Sequence, residues 1–203
     1  MTLSHTKSLA EALGKNVFPG LGMASELLEH IAALFVRRTY PSKAQLLTIG
    51  DQWKQVFYLH QGLVRIFYTD AKGREFNKSF FYENQLIWPV APSVRTSQTH
   101  FTIAALEDLT VSECSFNRLH AMLKGSGYWE QFALLPYAER FAERLFRREY
   151  EFLLYSATER YQAFCREKPH LVQRIPDYHL ASYLGMTNVT LSRIKNSPAF
   201  NLV

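Results

Sequence analysis

The chain has 203 residues, 47% of them hydrophobic and 20% charged, with a net charge of +5. That length suits one large domain or two small ones with a real core, and the balance excludes a disordered chain. No apolar run approaches the roughly 18 residues that span a bilayer, and the N-terminus "MTLSHTKSLAEALGKNVF" lacks the apolar stretch of a signal peptide.

In chain order, residues 22–38 place Leu27, Leu28, Ile31, Leu34 and Phe35 at helical spacing. Five short segments follow that read as strands: "QVFYLHQG", "LVRIFYTD", "REFNKSFFY", "HFTIAAL" and "LTVSEC". "TDAKGRE" is a hairpin loop in which Gly73 can take a positive φ. Strands this short and regular predict an antiparallel barrel or jelly roll. Residues 84–108, "NQLIWPVAPSVRTSQTHFTIAALED", interrupt them with two prolines and a run of Ser, Thr, Gln and His. A small-ligand pocket and a plain surface loop are both open readings of that interruption.

From Phe116 the pattern turns helical. Leu134, Ala138, Phe141, Leu145, Arg148 and Phe152 alternate at spacings of four and three, which is a heptad seam. The seam suits a helix packed on its own barrel or a dimer helix, and the charges flanking "AERFAERLFRREYEFLL" favour the dimer. Pro136 kinks or breaks this segment. "REKPHLVQRIP" then connects to a last helical unit.

Residues 176–195, "PDYHLASYLGMTNVTLSRIK", carry the most information. Pro176 suits a first helical turn, Ala181 permits close helix approach, Gly185 suits a left-handed turn, and Thr187 is a good N-cap. This is helix-turn-helix spacing, with a second helix from about Asn188 to Lys195. A helical hairpin used only for packing has the same outline. The basic surplus favours the DNA reading: residues 160–203 hold six basic and two acidic side chains, +4 of the total +5. Arg193 can pair with guanine, Asn188 with adenine or phosphate, and Val189 with a thymine methyl. Ser192 shares that face, while Thr187, Thr190 and Lys195 can meet phosphates.

The order of these parts resembles the Crp/Fnr family of bacterial transcription regulators, over nearly the whole chain. "VFYLHQGLVRIFYTDAKGREF" is similar to that family's central strands, "AALEDLTV" to the strand closing its barrel, and "RIPDYHLASYLGMTNVTLSRIK" to its DNA-binding unit. The resemblance implies an α+β chain. Residues 1–125 would form a cyclic-nucleotide-binding-type β-barrel with flanking helices. Residues 126–156 would form a long dimerisation helix, and 157–203 a winged-helix-like helix-turn-helix domain. It further implies a cytoplasmic homodimer on a palindromic double-stranded DNA site, an effector in the barrel, and RNA polymerase as a partner, with no membrane contact.

Members that bind a cyclic nucleotide carry a Gly-Glu pair for the ribose and an Arg-Ser/Thr pair for the phosphate. The matching positions here are Asn84 and Gln85, and Thr99, His100 and Phe101. A threonine does not replace a guanidinium opposite phosphate. With Trp88 and with Arg95 nearby in the loop, these residues make the candidate effector pocket: Asn84, Gln85, Trp88, Arg95, Thr99 and His100. The expectation is an unknown small-molecule effector other than a conventional cyclic nucleotide, the alternative being a divergent nucleotide pocket. Cys114 and Cys165 are the only cysteines, short of an iron–sulfur ligand set, and no histidine is marked as a haem ligand, so no cofactor is expected. His60, His100 and His120 stand singly, which argues against a metal-dependent barrel enzyme. A ligand-binding module without a DNA role is the remaining alternative.

Overall fold

The computed structural model describes residues 3–133 and 139–197. They belong to two compact units: Met1–Val64 with Phe81–Arg140, and Arg65–Phe80 with Phe141–Val203.

The first unit begins with helices α1 (Leu3–Asn16) and α2 (Ser25–Ala33). Strands β1 (Val36–Tyr40), β2 (Gln45–Leu47), β3 (Gln55–Gln61) and β6 (Leu86–Ile87) follow. The short helix α3 (Pro92–Thr96), strands β7 (Thr102–Ala105) and β8 (Leu109–Ser115), and helices α4 (Phe116–Gly125) and α5 (Trp129–Phe132) complete it. One antiparallel sheet has the order β1-β8-β3-β6, with Val36 opposite Glu113, Val56 opposite Cys114 and Phe57 opposite Ile87. β2 pairs antiparallel with β7. Leu9, Leu13, Phe18, Ile31, Phe35, Val56, Tyr58, Trp88, Phe116 and Phe132 share one buried core, so α1, α2, α4 and α5 cover a face of the sheet.

The helical reading of 22–38 is too long. α2 stops at Ala33, because Val36–Tyr40 is an extended stretch whose five residues all pair with β8. Helical spacing cannot show a strand that starts three residues after a helix ends.

The second unit opens with the hairpin of β4 (Val64–Thr69) and β5 (Glu75–Phe81). Its turn is tied by Asp70, whose carboxylate accepts from the backbone N–H groups of Lys72 and Arg74, both at 2.9 Å, and from Arg74 Nε at 2.8 Å. Gly73 has φ +78°. Then come α6 (Glu139–Leu154), α7 (Ala157–Glu167), a 3-10 turn at Pro169–Leu171, α8 (Asp177–Tyr183) and α9 (Asn188–Lys195). A capping box starts α7: Ser156 Oγ accepts from Glu159 N–H at 3.3 Å and the Glu159 carboxylate accepts from Ser156 N–H at 2.7 Å. Tyr161, Ala163, Phe164, Leu171, Ile175, Leu180, Ala181, Leu184, Leu191 and Ile194 are buried apolar residues of α7 to α9 and their connection.

Candidate nucleic-acid interface and barrel pocket

The six pocket candidates have different partners. Asn84 takes the left-handed conformation at φ +65°, which asparagine tolerates, and its Oδ1 accepts from Tyr58 Oη at 3.0 Å and Asn16 Nδ2 at 3.4 Å. Gln85 accepts at Oε1 from the Tyr82 N–H at 3.2 Å. Thr99 is buried, and its hydroxyl is spent on the carbonyls of Asp51 at 3.1 Å and Thr48 at 3.4 Å. His100 is exposed.

Trp88 and Arg95 do meet. Trp88 is buried in an aromatic cluster with Phe116, Trp129 and Phe132. The Arg95 guanidinium lies 4.8 Å from the Phe116 ring centre and 5.6 Å from that of Trp88. It donates to the carbonyls of Pro89 at 2.7 Å and Val90 at 2.5 Å. Arg95 therefore closes the loop that carries it, stacked on the aromatics with its donors turned to backbone. A depression of about 500 Å³ lies elsewhere in this unit, lined by residues that include Leu47, Asp51, Trp53, Lys54 and Phe57.

In the second unit, α8 ends in a Schellman motif. Gly185 has φ +65°, with Met186 N–H bonded to the Ala181 carbonyl at 3.0 Å and Gly185 N–H to that of Ser182 at 3.3 Å. A methyl group at Gly185 would also collide with the Phe152 ring, so this glycine answers two demands at once. Thr187 caps α9, its Oγ1 accepting from Thr190 N–H at 3.1 Å and sharing a 2.8 Å hydrogen bond with Thr190 Oγ1. Leu191 and Ile194 face inward. Asn188, Val189, Ser192 and Arg193 are exposed, Val189 at 60%. Lys195 is engaged differently: its Nζ donates to both carboxylate oxygens of Asp177, at 2.8 and 3.0 Å, tying the last turn of α9 to the first of α8.

The seam residues have separate fates. Leu134 and Ala138, with Pro136 between them, lie outside the described residues, as does the Phe141 side chain. Arg148 turns to its own chain, donating to the carbonyls of Tyr183 at 3.0 Å and Lys78 at 3.2 Å. Phe152 packs on Gly185 with the guanidiniums of Arg148 and Arg160 at 5.0 and 5.2 Å from its ring centre. Leu145 is exposed. The outward apolar stripe is Phe146, Tyr150 and Leu153, with Phe146 71% and Leu153 75% exposed. Its spacing of four and three was in the sequence, interleaved with the seam.

No family model and no curated protein sequence matches the chain. Solved structures do. The c-di-GMP-responsive global regulator CLP of Xanthomonas campestris is 17% identical, with a TM-score of 0.63 over 85% of this chain and 90% of its own. FixK2 of Bradyrhizobium japonicum is 20% identical, with a TM-score of 0.64 over 79% and 82%. A crp/fnr-family regulator of Eubacterium rectale is 15% identical, with a TM-score of 0.65 over 85% and 82%. The fold is of the Crp/Fnr type. At these identities the likeness is one of architecture, and a Crp/Fnr-type fold agrees with the mixed helices and antiparallel sheets described above.

The sequence missed one cluster within this fold. Arg65 and Asn77 of the hairpin and His179 of α8 form a buried polar group, with exposures of 9%, 3% and 5%. Their separations in sequence, up to 114 residues, gave no pattern to read. Among the described residues, no group of three His, Cys, Asp or Glu side chains is placed to hold a metal ion. Nor is any described helix long and apolar enough to cross a membrane.

Proposed function

We propose that this chain is a dimeric, DNA-binding transcription regulator of the Crp/Fnr type. The observation that carries this reading is α9. It is a capped helix behind a Schellman turn, and its outward face offers Asn188, Val189, Ser192 and Arg193 to a partner. That face has the chemistry of major-groove readout. Arg193 would donate two hydrogen bonds to a guanine, Asn188 would pair with adenine or a phosphate, and Val189 would touch a thymine methyl. Thr187 and Thr190 lie at the helix start, where phosphates dock. Lys195 sets the angle between α8 and α9 through Asp177, in addition to any charge it lends the interface.

The stripe of Phe146, Tyr150 and Leu153 supports pairing with a second copy, which would present two α9 helices to a palindrome. RNA polymerase is the partner such a regulator would address. On the sensing side, Thr99, which matches a phosphate position of the family's sequence pattern, and Arg95, four residues before it, are both committed to backbone carbonyls. This supports a regulator that does not answer to cyclic AMP or cyclic GMP. Any effector is a different small molecule.

The test is selection of bound sequences from a random DNA pool. Enrichment of a palindrome is the expected result, and Arg193→Ala should cost roughly 1–3 kcal/mol on that site while relaxing one base position. A pool that enriches nothing, with or without cell extract, sinks the DNA reading. Calorimetry with cyclic AMP and cyclic GMP should give no heat of binding, and a submicromolar constant would overturn the sensing half.

A further inference from the structure

The hairpin and α8 are joined by an unusual set of hydrogen bonds. β5 is the terminal strand of its sheet, with β4 on its inner side, so its outer N–H and C=O groups need partners. Helices supply them. Ser182 Oγ of α8 stands where a neighbouring strand would, accepting from Asn77 N–H at 3.0 Å and donating to the Glu75 carbonyl at 3.1 Å. Arg148 of α6 donates to the Lys78 carbonyl at 3.2 Å and to that of Tyr183 at 3.0 Å, spanning β5 and the end of α8.

Side chains complete the junction from the buried side. Asn77 Nδ2 donates to the His179 carbonyl and to His179 Nδ1, both at 3.2 Å. Arg65 donates to Asn77 Oδ1 at 3.2 Å and to Glu75 at 2.6 Å, and its guanidinium lies 3.7 Å from the Phe67 ring centre. Arg65 Nη1 also lies 3.3 Å from His179 Nδ1. Two donors aimed at one ring nitrogen require that nitrogen to be unprotonated. Burial, with the adjacent Arg65 charge, holds the His179 imidazole down at about 4, so it stays a neutral acceptor at ordinary pH.

We propose that this junction is a latch that makes the hairpin 65–80 and the α8–α9 pair one moving body, so that any displacement of the hairpin resets the DNA-reading helix. The proposal rests on the DNA-binding reading above and names how that site is regulated. A fully satisfied buried polar network favours one geometry over nearby ones, since every slip leaves a desolvated group unpaired. The hairpin runs directly on from β3 at Gln61 and into β6 at Leu86, so both of its ends continue into strands, while its hydrogen bonds go to α8.

The latch is tested by hydrogen exchange on the full chain, with and without the DNA site selected as above. By linkage, a ligand that binds one end of a coupled body must be felt at the other. DNA bound at α9 should therefore slow exchange in β5, which is not part of the reading face, at least threefold in the wild type. Ser182→Ala should abolish that slowing and change DNA affinity at least threefold, whereas Ser182→Thr, which keeps the hydroxyl, should restore both. β5 exchange that ignores DNA in the wild type overturns the latch. So does a Ser182→Ala protein whose DNA affinity stays within threefold. If the wild type selects no DNA at all, the DNA reading fails separately, and the latch is then judged without DNA. Faster exchange in β5 and α8 together in Ser182→Ala supports it, and an unchanged or one-sided response overturns it.

Discussion

Gly185→Ala offers the sharpest check on the turn that sets α9. Two separable costs act at this position. A methyl-bearing residue at φ +65° costs roughly 1–2 kcal/mol, because Cβ crowds the following carbonyl. The same methyl would enter the Phe152 ring, and overpacking of this kind costs typically about 1–3 kcal/mol. The sum is about 3 kcal/mol of lost stability. Phe152→Ala alone should cost about 1–2 kcal/mol, since its ring is only partly covered. In the Phe152→Ala background, however, the collision is gone, and Gly185→Ala should then cost only the backbone share. The double-mutant cycle should therefore show a coupling of about 1–3 kcal/mol, with the pair less damaging than its parts. Urea unfolding followed by far-ultraviolet circular dichroism reads all four proteins. Gly185→Asn separates the costs from the other side, because asparagine tolerates the dihedral but still meets the ring. If Gly185→Ala costs the same with and without Phe152, the steric half of the reasoning is wrong.

Other substitutions and conditions follow from the same geometry. Thr187→Ala removes the cap of α9 and should cost about 1 kcal/mol in urea unfolding, with Thr187→Ser close to the wild type. Acid should weaken each unit separately. His60 is held at about 4 by burial, then by the Arg37 and His5 charges, and His179 at about 4 by burial and Arg65, against an ordinary 6.5. Both stay neutral in the folded chain while the unfolded chain takes up protons. The stability they permit is therefore complete above pH 6.5, falls as pH drops from 6.5 to 4, and levels off below, by no more than about 3 kcal/mol each. Unfolding at a series of pH values checks this, and His179→Gln should flatten the slope assigned to the second unit. Phe146→Glu with Leu153→Glu should convert a dimer to a monomer in sedimentation velocity without loss of helix content, since both side chains face solvent.

The fold was largely legible because its signals were local. All five strand segments read from alternation correspond to β3, β4, β5, β7 and β8. The Pro176–Lys195 unit was legible down to its cap and its turn glycine, since capping and left-handed turns are decided within a few residues. α1 went unread as a helix because its buried positions, Leu9, Ala10 and Leu13, are few and its flanks polar. The committed states of Arg95, Arg148 and Lys195 were not legible either. Arg95 and Lys195 were assigned by residue type, to an effector and a phosphate, and Arg148 by its spacing, to a seam read as a dimer helix. Each instead donates to groups of its own chain, at distances no spacing rule encodes. Arginine and lysine are long enough to reach several partners, so sequence fixes what they can bind and packing decides what they do bind.

The aromatic cluster around Trp88 has a practical corollary. The chain's three tryptophans, Trp53, Trp88 and Trp129, all belong to the unit built from Met1–Val64 and Phe81–Arg140, and none lies in the other. Indole emission is thus an intrinsic label for one half of the molecule, blind to melting of the half that carries α8 and α9. A denaturation curve taken by emission and one taken by peptide ellipticity will superimpose only if the two halves unfold as a single cooperative system. Any gap between those midpoints measures how independently α8 and α9 stand, with no dye, tag or mutation added.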